Sequence, residues 1–225
     1  MRRAILVGAA GACVAPFAAI AHDLPGSAPI SGFELPQPKP LQPFTLRTGE
    51  RDTFTDRDLR GRWSLVFFGF TSCPDVCPAT MLEVREVRER LASSKDAVPM
   101  RVLFVSIDPA RDTPARLADY ASRFGPGVIA ATSTEAGVRA FADQFRVKYE
   151  VSTPRAKLAA GYLFDHTASV SLVGPDARLY AVFTLPLRIR EVAADVQRIH
   201  ARHRAEVCPS VQGDRESRSC ATRVV

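Results

Sequence analysis

The sequence contains no run of basic residues and no arginine stripe with interleaved aromatic residues. Its formal net charge of +6 is carried by 30 basic and 24 acidic residues, and only four of the basic residues are lysines. Basic and acidic residues are interspersed along the chain, which is typical of a solvated surface. Because nucleic-acid binding needs a concentrated basic surface, we expect no nucleic acid among the partners.

Internal repeats are also absent, and histidine is scarce, with four residues in a chain of 225. The length and an apolar content of 46% favour one domain with a single sizeable core and tails. The scarcity of histidine leaves His22, His166, His200 and His203 as the imidazole groups that a metal site could use.

The first 21 residues have the composition of an export signal. Met1 is followed by two arginines, then by an uncharged apolar stretch that ends in Ala19-x-Ala21. The stretch is about 18 residues long, at the lower edge of what spans a bilayer. We therefore expect residues 1–21 to be a cleaved signal peptide or a retained membrane anchor, with lipidation at Cys13 as a third alternative. Each of these places the domain on the periplasmic side of a bacterial inner membrane, either anchored or soluble.

Such a compartment is oxidising, so paired cysteines there are disulfides, metal ligands or redox groups. Beyond Cys13, the cysteines fall into two separated pairs, Cys73 with Cys77 and Cys208 with Cys220. The segment between Cys208 and Cys220 has too little apolar content to fold unaided. We expect residues 206–225 to form a C-terminal extension stapled by a Cys208–Cys220 disulfide, with an auxiliary metal or redox pair as the alternative.

Proline separates the N-terminal segment from the domain. Six prolines lie between Asp23 and Pro43, at positions 25, 29, 36, 38, 40 and 43, and this density blocks helix and disfavours sheet. We expect residues 22–43 to be a semi-extended tether. The ordered domain should then span residues 44–205 and begin with a short hairpin near Phe44.

Within the domain, apolar β-forming runs alternate with helical patterns. Strands are predicted at 63–70, 102–107, 128–131, 147–151, 168–173 and 179–184, and helices after Cys77, from Pro114, at 134–145 and at 188–203. Strands that alternate with helices indicate an α/β domain with helices on both faces of a central sheet.

Cys73 and Cys77 follow directly on the apolar run 63–70, where a buried strand should end and a helix begin. The positive end of a helix dipole biases nearby thiols toward thiolate. Four residues make about one helical turn, so both sulfurs can face one point. Thioredoxin-type oxidoreductases have two residues between their cysteines, whereas the three here give a wider loop suited to an ion about 2.3 Å from each sulfur. A purely stabilising disulfide is disfavoured because so small a loop gains little by closure.

A soft ion such as Cu(I) favours thiolate and imidazole, and a three-coordinate site needs one donor beyond two cysteines. His22 lies at the expected cleavage point, whereas His200 and His203 lie among arginines on the last predicted helix. A lone histidine is more often a surface or core residue. His166, however, is expected in a loop directly before a strand, which favours it as the third ligand.

Three segments carry a resemblance to a known family. Residues 68–78 (FGFTSCPDVCP), 106–114 (SIDPARDTP) and 165–176 (DHTASVSLVGPD) resemble the signature blocks of the Sco/SenC family, in order and at matching separations, and the match covers about residues 43–205. The resemblance implies a thioredoxin-like fold with a central mixed sheet flanked by helices, here with an added N-terminal hairpin and a C-terminal tail. It also implies a domain tethered to a membrane that binds one copper ion, as Cu⁺ or Cu²⁺, through Cys73, Cys77 and His166.

The same resemblance implies a role and partners. Proteins of this family help to build the dinuclear copper centre of cytochrome c oxidase, so the expected partners are its subunit II or another cuproprotein, other periplasmic copper chaperones and thiol reductants. Asp165 and Asp108 are expected near the ligands, where a carboxylate orients a ligating imidazole. A turn role for Asp165, and capping of the helix from Pro114 by Asp108, Arg111 and Asp112, are the alternatives.

Two functions therefore compete. In the first, the protein is a metallochaperone, not an enzyme, and passes copper to a partner by ligand exchange. In the second, Cys73 and Cys77 are the redox-active pair of a thiol-disulfide reductase that keeps the cysteines of a cuproprotein reduced. A peroxiredoxin-like activity is disfavoured because the Pro-x-x-x-Thr-x-x-Cys arrangement is missing around Cys73.

Overall fold

The computed structural model of the chain describes residues 31–51, 53–152 and 163–207. The strands are β1 (Gly32–Pro40), β2 (Arg47–Thr48), β3 (Trp63–Gly69), β4 (Met100–Ser106), β5 (Val128–Thr132), β6 (Tyr149–Ser152), β7 (Leu163–His166), β8 (Ser169–Val173) and β9 (Arg178–Thr184). The helices are α1 (Asp56–Leu59), α2 (Val76–Ala92), α3 (Pro114–Ser122), α4 (Glu135–Gln144) and α5 (Ile189–Val207). The expected leader at 1–21 and the Cys208–Cys220 pair lie outside these residues. Within them, no helix has both the length and the apolar character to cross a membrane.

Seven strands form one sheet in the order β1-β9-β8-β3-β4-β5-β2. The centre of this sheet is parallel, because β4 pairs in parallel with both β3 and β5. The remaining neighbours pair antiparallel. Strands β6 and β7 form a separate antiparallel pair. The predicted α/β architecture with a central mixed sheet is therefore confirmed.

Helices cover both faces of the sheet, as the side chains of β3 demonstrate. Successive side chains of a strand point to opposite faces, and every residue of β3 is buried. Trp63 packs against His200 and His203 of α5. Phe68 points the other way and packs against Phe141 of α4 and against Phe145, which directly follows that helix. A strand buried on both faces accounts for the nearly continuous apolar run from Trp63 to Phe70.

Helix starts follow local capping signals. The Thr113 hydroxyl accepts a hydrogen bond from the Arg116 amide, and Pro114 occupies the first turn of α3, where its missing N–H costs nothing. The Thr134 hydroxyl accepts from the Gly137 amide at the start of α4 in the same way. Both starts were predicted, because a cap needs only neighbours along the chain.

The N-terminal part of the chain corrects one prediction. Residues 32–40 were expected in a tether, but they form β1, which pairs with β9 at the edge of the sheet. The pairing register shifts between Glu34 and Lys39, and Pro36 and Pro38 lie within this interruption. An edge strand needs backbone donors on one side only, so prolines that bracket an irregularity are tolerated. Hydrogen bonds from the Ser31 amide and hydroxyl to Asp195 of α5, at 2.7 and 2.9 Å, also hold β1 in place.

The expected hairpin near Phe44 is present. Leu46 and Phe54 form an antiparallel bridge, and the Thr48 amide donates to the Arg51 carbonyl at 2.8 Å to close the turn. The short helix α1 that follows was not predicted. It begins with a capping box in which Thr55 and Asp58 bind each other's backbone amides.

At the first residue of β3, Trp63 lies in a buried cluster with Tyr180, His200 and His203. The Tyr180 hydroxyl lies 2.9 Å from Nδ1 of His203 and donates to Asp176 at 3.0 Å. Burial lowers the pKa of His200 below its ordinary value of 6.5, and the positive charge of Arg204 and the neighbouring His203 lower it further. The two histidines of the last helix thus belong to the packing of the domain.

This cluster predicts how stability depends on pH. Because folding lowers the pKa of His200, the unfolded chain takes up a proton more readily, and the free energy of unfolding should fall as the pH drops below 6.5. The slope from one proton is at most about 1.4 kcal/mol per pH unit. His200→Phe retains a ring beside Trp63 and should flatten the profile between pH 7 and about pH 5. Urea unfolding followed by the fluorescence of the single tryptophan measures this, and equal slopes in both proteins would contradict the assignment.

Candidate metal centre

The two cysteines lie where β3 gives way to α2. Strand β3 ends at Gly69, and α2 begins at Val76. In the intervening loop, the Cys73 amide donates to the Phe70 carbonyl at 3.1 Å and forms a tight turn. The Cys77 amide, in the first turn of α2, donates to the Cys73 sulfur at 3.4 Å. The N-cap residue, Asp75, makes no side-chain capping bond, so the Cys73 sulfur occupies the place of the usual capping oxygen.

This position makes the two thiols unequal. A hydrogen bond from the Cys77 thiol lowers the pKa of Cys73 to about 6, with help from the backbone amides of Asp75 and Cys77 and from His166, although burial opposes the shift. The same hydrogen bond, together with burial, raises the pKa of Cys77. Cys77 is fully buried, whereas Cys73 is only partly buried, and both are free thiols. Cys73 is therefore the accessible thiolate of the pair and Cys77 the protected thiol.

Gly69 allows the buried thiol to lie against the end of β3. A Cβ atom at this position would lie 2.9 Å from the Cys77 sulfur and 2.9 Å from the Phe104 ring. Both distances are shorter than real Cβ contacts, so any side chain here would displace the sulfur or the ring. The glycine is thus part of the site through the space that it leaves open.

His166 reaches the same place from the far end of the domain. It is the last residue of β7, where it pairs with Tyr149 of β6, and not a loop residue as predicted. The short strand was missed because four residues carry too weak a pattern to be distinguished from a loop. In the β3–β8 pairing, Phe67 lies opposite Val170. Continued along antiparallel strands, this register brings residue 166 level with the residues that follow β3.

The imidazole presents one nitrogen to the cysteines. Its Nδ1 lies 3.1 Å from the Thr167 carbonyl, and because a carbonyl only accepts, Nδ1 carries the proton. In the neutral imidazole, Nε2 is then the nitrogen without hydrogen, and it lies 4.0 Å from the Cys77 sulfur. The Phe67 ring flanks the imidazole, with 6.2 Å between ring centroids. The backbone carbonyl thus sets the tautomer that leaves Nε2 as a donor to a metal.

The three candidate ligands, Cys73, Cys77 and His166, contact one another in pairs. Among residues 31–51, 53–152 and 163–207, no three His, Cys, Asp or Glu side chains form a ready-made metal-binding group. Cys73 contacts Cys77, and Cys77 contacts His166. An ion about 2.3 Å from a sulfur and about 2.0 Å from an imidazole nitrogen joins atoms up to about 4.3 Å apart. The 4.0 Å between the Cys77 sulfur and His166 Nε2 is within this limit, so one soft ion can contact both of these atoms.

The expected carboxylates lie at different depths. Asp165 is exposed on β7, opposite Glu150 of β6. Asp108 is buried and forms an ion pair with Arg111. Asp112, which the family resemblance places near the site and for which capping of α3 is the alternative role, is fully buried and binds Thr71, two residues before Cys73. Its position in the 106–114 block was visible in the sequence, but its partner in another loop was not.

Comparison with known proteins shows the family to which the sequence is related. The profile of the family described as SCO1/SenC matches residues 34–201. The "Protein SCO1 homolog, mitochondrial" of Homo sapiens is 37% identical over 160 residues, which cover 70% of this chain and 52% of that protein. The chain thus spans about half the length of this relative.

Solved structures are similar as well. The structure of Bradyrhizobium japonicum ScoI with copper bound is 34% identical, with a TM-score of 0.59, over 70% of this chain and 97% of that one. The structure of yeast Sco1 with copper bound is 28% identical, with a TM-score of 0.64. The match covers 80% of this chain and 94% of the yeast chain. The predicted thioredoxin-like fold is confirmed.

The asymmetry of the two thiols predicts their reactivity. In the reduced, metal-free protein, alkylation of Cys73 by iodoacetamide should rise with pH and reach half its maximal rate near pH 6, whereas Cys77 should stay unmodified because it is buried. Peptide mass spectrometry at each pH distinguishes the two cysteines. Cys77→Ala removes the hydrogen-bond donor and should move the midpoint for Cys73 to higher pH. Alkylation of Cys77 ahead of Cys73 would show that the assignment is inverted.

Proposed function

The chain belongs to the SCO1/SenC family, and on this premise we propose that it is a copper metallochaperone. It binds one copper ion through Cys73, Cys77 and His166 and assists assembly of the dinuclear copper centre of cytochrome c oxidase. The observation that carries the proposal is the contact of the Cys77 sulfur with Nε2 of His166, whose Nδ1 faces a backbone carbonyl, beside a second sulfur at a helix N-terminus. Two solved relatives with this fold contain copper.

The donor set suits copper as cargo. Two thiolates and one imidazole are soft ligands, and Cu(I) accepts three of them. The helix N-terminus and two backbone amides stabilise the negative charge of Cys73 before the ion arrives. Burial of Cys77 protects that ligand from water and oxidants. The residues therefore favour a bound ion without enclosing it.

Delivery follows from the exposure of Cys73. Ligand exchange requires a thiolate of the partner to approach the ion while the donor releases one ligand at a time. Of the two sulfur ligands, Cys73 is the partly exposed one, so its bond to copper is the copper–sulfur bond that an incoming thiolate can replace first. The recipient is then subunit II of cytochrome c oxidase or another cuproprotein. The protein acts on the periplasmic side of the membrane, either anchored or soluble after signal cleavage.

Copper stoichiometry of the reduced protein tests the proposal. The wild-type protein should bind one copper ion per chain. Cys73→Ala, Cys77→Ala and His166→Ala should each weaken Cu(I) binding by more than about 100-fold, beyond the range for residues that only support a ligand. Competition with a colorimetric Cu(I) chelator measures the affinity. His200→Phe, a histidine substitution in the packed cluster around Trp63, is the control and should bind like wild type. Unchanged affinity in all three ligand variants would refute the site.

A second function, thiol-disulfide exchange, is favoured by the unequal thiols. The Cys73 thiolate, with a pKa of about 6, attacks one sulfur of a target disulfide and releases the other as a thiolate. Cys77 then attacks the mixed disulfide, frees the second target thiol and leaves a Cys73–Cys77 disulfide, so the target gains the two electrons that the pair loses. An external thiol reductant must then restore the pair.

One substitution separates the two functions. His166→Ala removes a copper ligand but neither sulfur, so it should abolish tight Cu(I) binding and retain at least about half of the rate of disulfide reduction. Reduction of an aromatic disulfide that releases a coloured thiol, followed at pH 7, gives the rate, and Cys73→Ser should eliminate it. If wild type binds no Cu(I) tightly and Cys73→Ser loses exchange, the protein is a reductase and not a chaperone.

A further inference from the structure

The loop that carries Cys73 is attached to a different loop through one buried carboxylate. Asp112, just before α3, accepts hydrogen bonds from the Thr71 amide at 2.9 Å and from the Thr71 hydroxyl at 2.5 Å. It also accepts from the Ser106 hydroxyl, at the end of β4, at 2.5 Å. The carboxylate thus joins the segment two residues before Cys73 to the end of a central strand.

Arg116 completes the attachment from the first turn of α3. Its Nε donates to the Thr71 hydroxyl and its Nη2 to the Ser72 hydroxyl, both at 2.8 Å. The guanidinium lies 3.8 Å from the Asp112 carboxylate and supplies its opposite charge. Thr71 and Ser72 are therefore both held by side chains of the 106–116 region, directly before the ligand Cys73.

A fully buried carboxylate is costly unless it is hydrogen-bonded and paired, and Asp112 meets both conditions. A second buried carboxylate in the domain is hydrogen-bonded and paired in the same way. Asp195 of α5 is also buried, accepts from the amide and hydroxyl of Ser31, and pairs with Arg198 at 2.9 Å. Asp195 joins β1 to α5 at the sheet edge, whereas Asp112 acts on the loop of Cys73. A comparison of Asp112 with Asp195 therefore separates the effect of Asp112 on the position of the Cys73 loop from its contribution to the stability of the domain.

We propose that Asp112 is a positioning residue for the copper site, and that it holds Thr71 so that the Cys73 sulfur lies against the first turn of α2. This inference rests on the proposed function, because its copper-affinity test requires that the protein bind copper. Thr71 is two residues from Cys73, so a shift of Thr71 moves the Cys73 sulfur relative to the Cys77 amide, which donates to it at 3.4 Å. Supporting residues of this kind typically change metal affinity by about 10- to 100-fold.

Asp112→Asn and Asp195→Asn form a matched pair. Each replaces one acceptor oxygen of a buried carboxylate with an NH₂ group that faces donors, so both should lower the urea midpoint of unfolding. Asp112→Asn should also weaken Cu(I) binding by about 10- to 100-fold, whereas Asp195→Asn should leave it unchanged. Equal copper affinities in the two variants would overturn the proposal.

A second pair of substitutions, at Thr71, tests the proposal if Asp112→Asn does not fold. Thr71→Val removes the hydroxyl that donates to Asp112 and accepts from Arg116, whereas Thr71→Ser retains it. Thr71→Val should weaken Cu(I) binding in the same direction, and Thr71→Ser should restore wild-type affinity. If Thr71→Val binds copper like Thr71→Ser, the proposal is overturned.

Amide hydrogen exchange in the reduced, metal-free protein supplies a readout that does not depend on copper. The Cys77 amide should exchange at least about tenfold faster in Asp112→Asn than in wild type, because its sulfur acceptor has moved, and at the wild-type rate in Asp195→Asn. If wild type itself binds no copper, the proposed function fails, while this exchange rate still tests the role of Asp112. Unchanged protection of Cys77 in Asp112→Asn would show that the carboxylate does not position the loop.

Discussion

The site depends on the contact between the Cys77 sulfur and Nε2 of His166, two atoms 4.0 Å apart from residues separated by 89 positions. No local structure supplies it. It follows from the pairing of β3 with β8, which sets Phe67 opposite Val170 and brings the start of β8 beside the end of β3. The cysteine loop leaves β3 at that end, and His166 lies three residues before the start of β8. The order of strands in the sheet therefore brings the imidazole to the sulfurs.

The same strand end explains why the two thiols differ. Cys73 lies in the loop and caps the first turn of α2 with its sulfur, so backbone amides and a thiol proton stabilise its charge. Cys77 lies in the first turn of the helix, against Gly69 and away from solvent. An accessible anion beside a protected thiol serves ligand exchange with copper and attack on a disulfide equally well, because both reactions begin with one reachable sulfur. The proposed functions thus share one geometry and differ in their need for His166.

Buried charges outside the ligand set connect this loop to the rest of the domain. Asp112 and Asp195 satisfy similar requirements, since each accepts an amide and a hydroxyl from one residue and faces an arginine. One joins the cysteine loop to the end of β4, and the other joins the edge strand β1 to α5. Long-range connections of this kind hold segments whose own sequences specify little structure: a proline-rich strand in one case and a loop of small polar residues in the other.

Local chemistry alone determined much of this protein. The strand, loop and helix around Cys73, the start of a helix at Pro114 and the α/β alternation were predicted because each depends on neighbours along the chain. The resemblance of short motifs singled out His166, but only the β3–β8 register brought it to Cys77. Tertiary structure likewise decided that residues 32–40 form an edge strand, since the pairing partner β9 comes much later in the chain. It also decided that Asp112 reaches Thr71, because the partner of a buried charge is set by the packing of distant segments and not by sequence proximity.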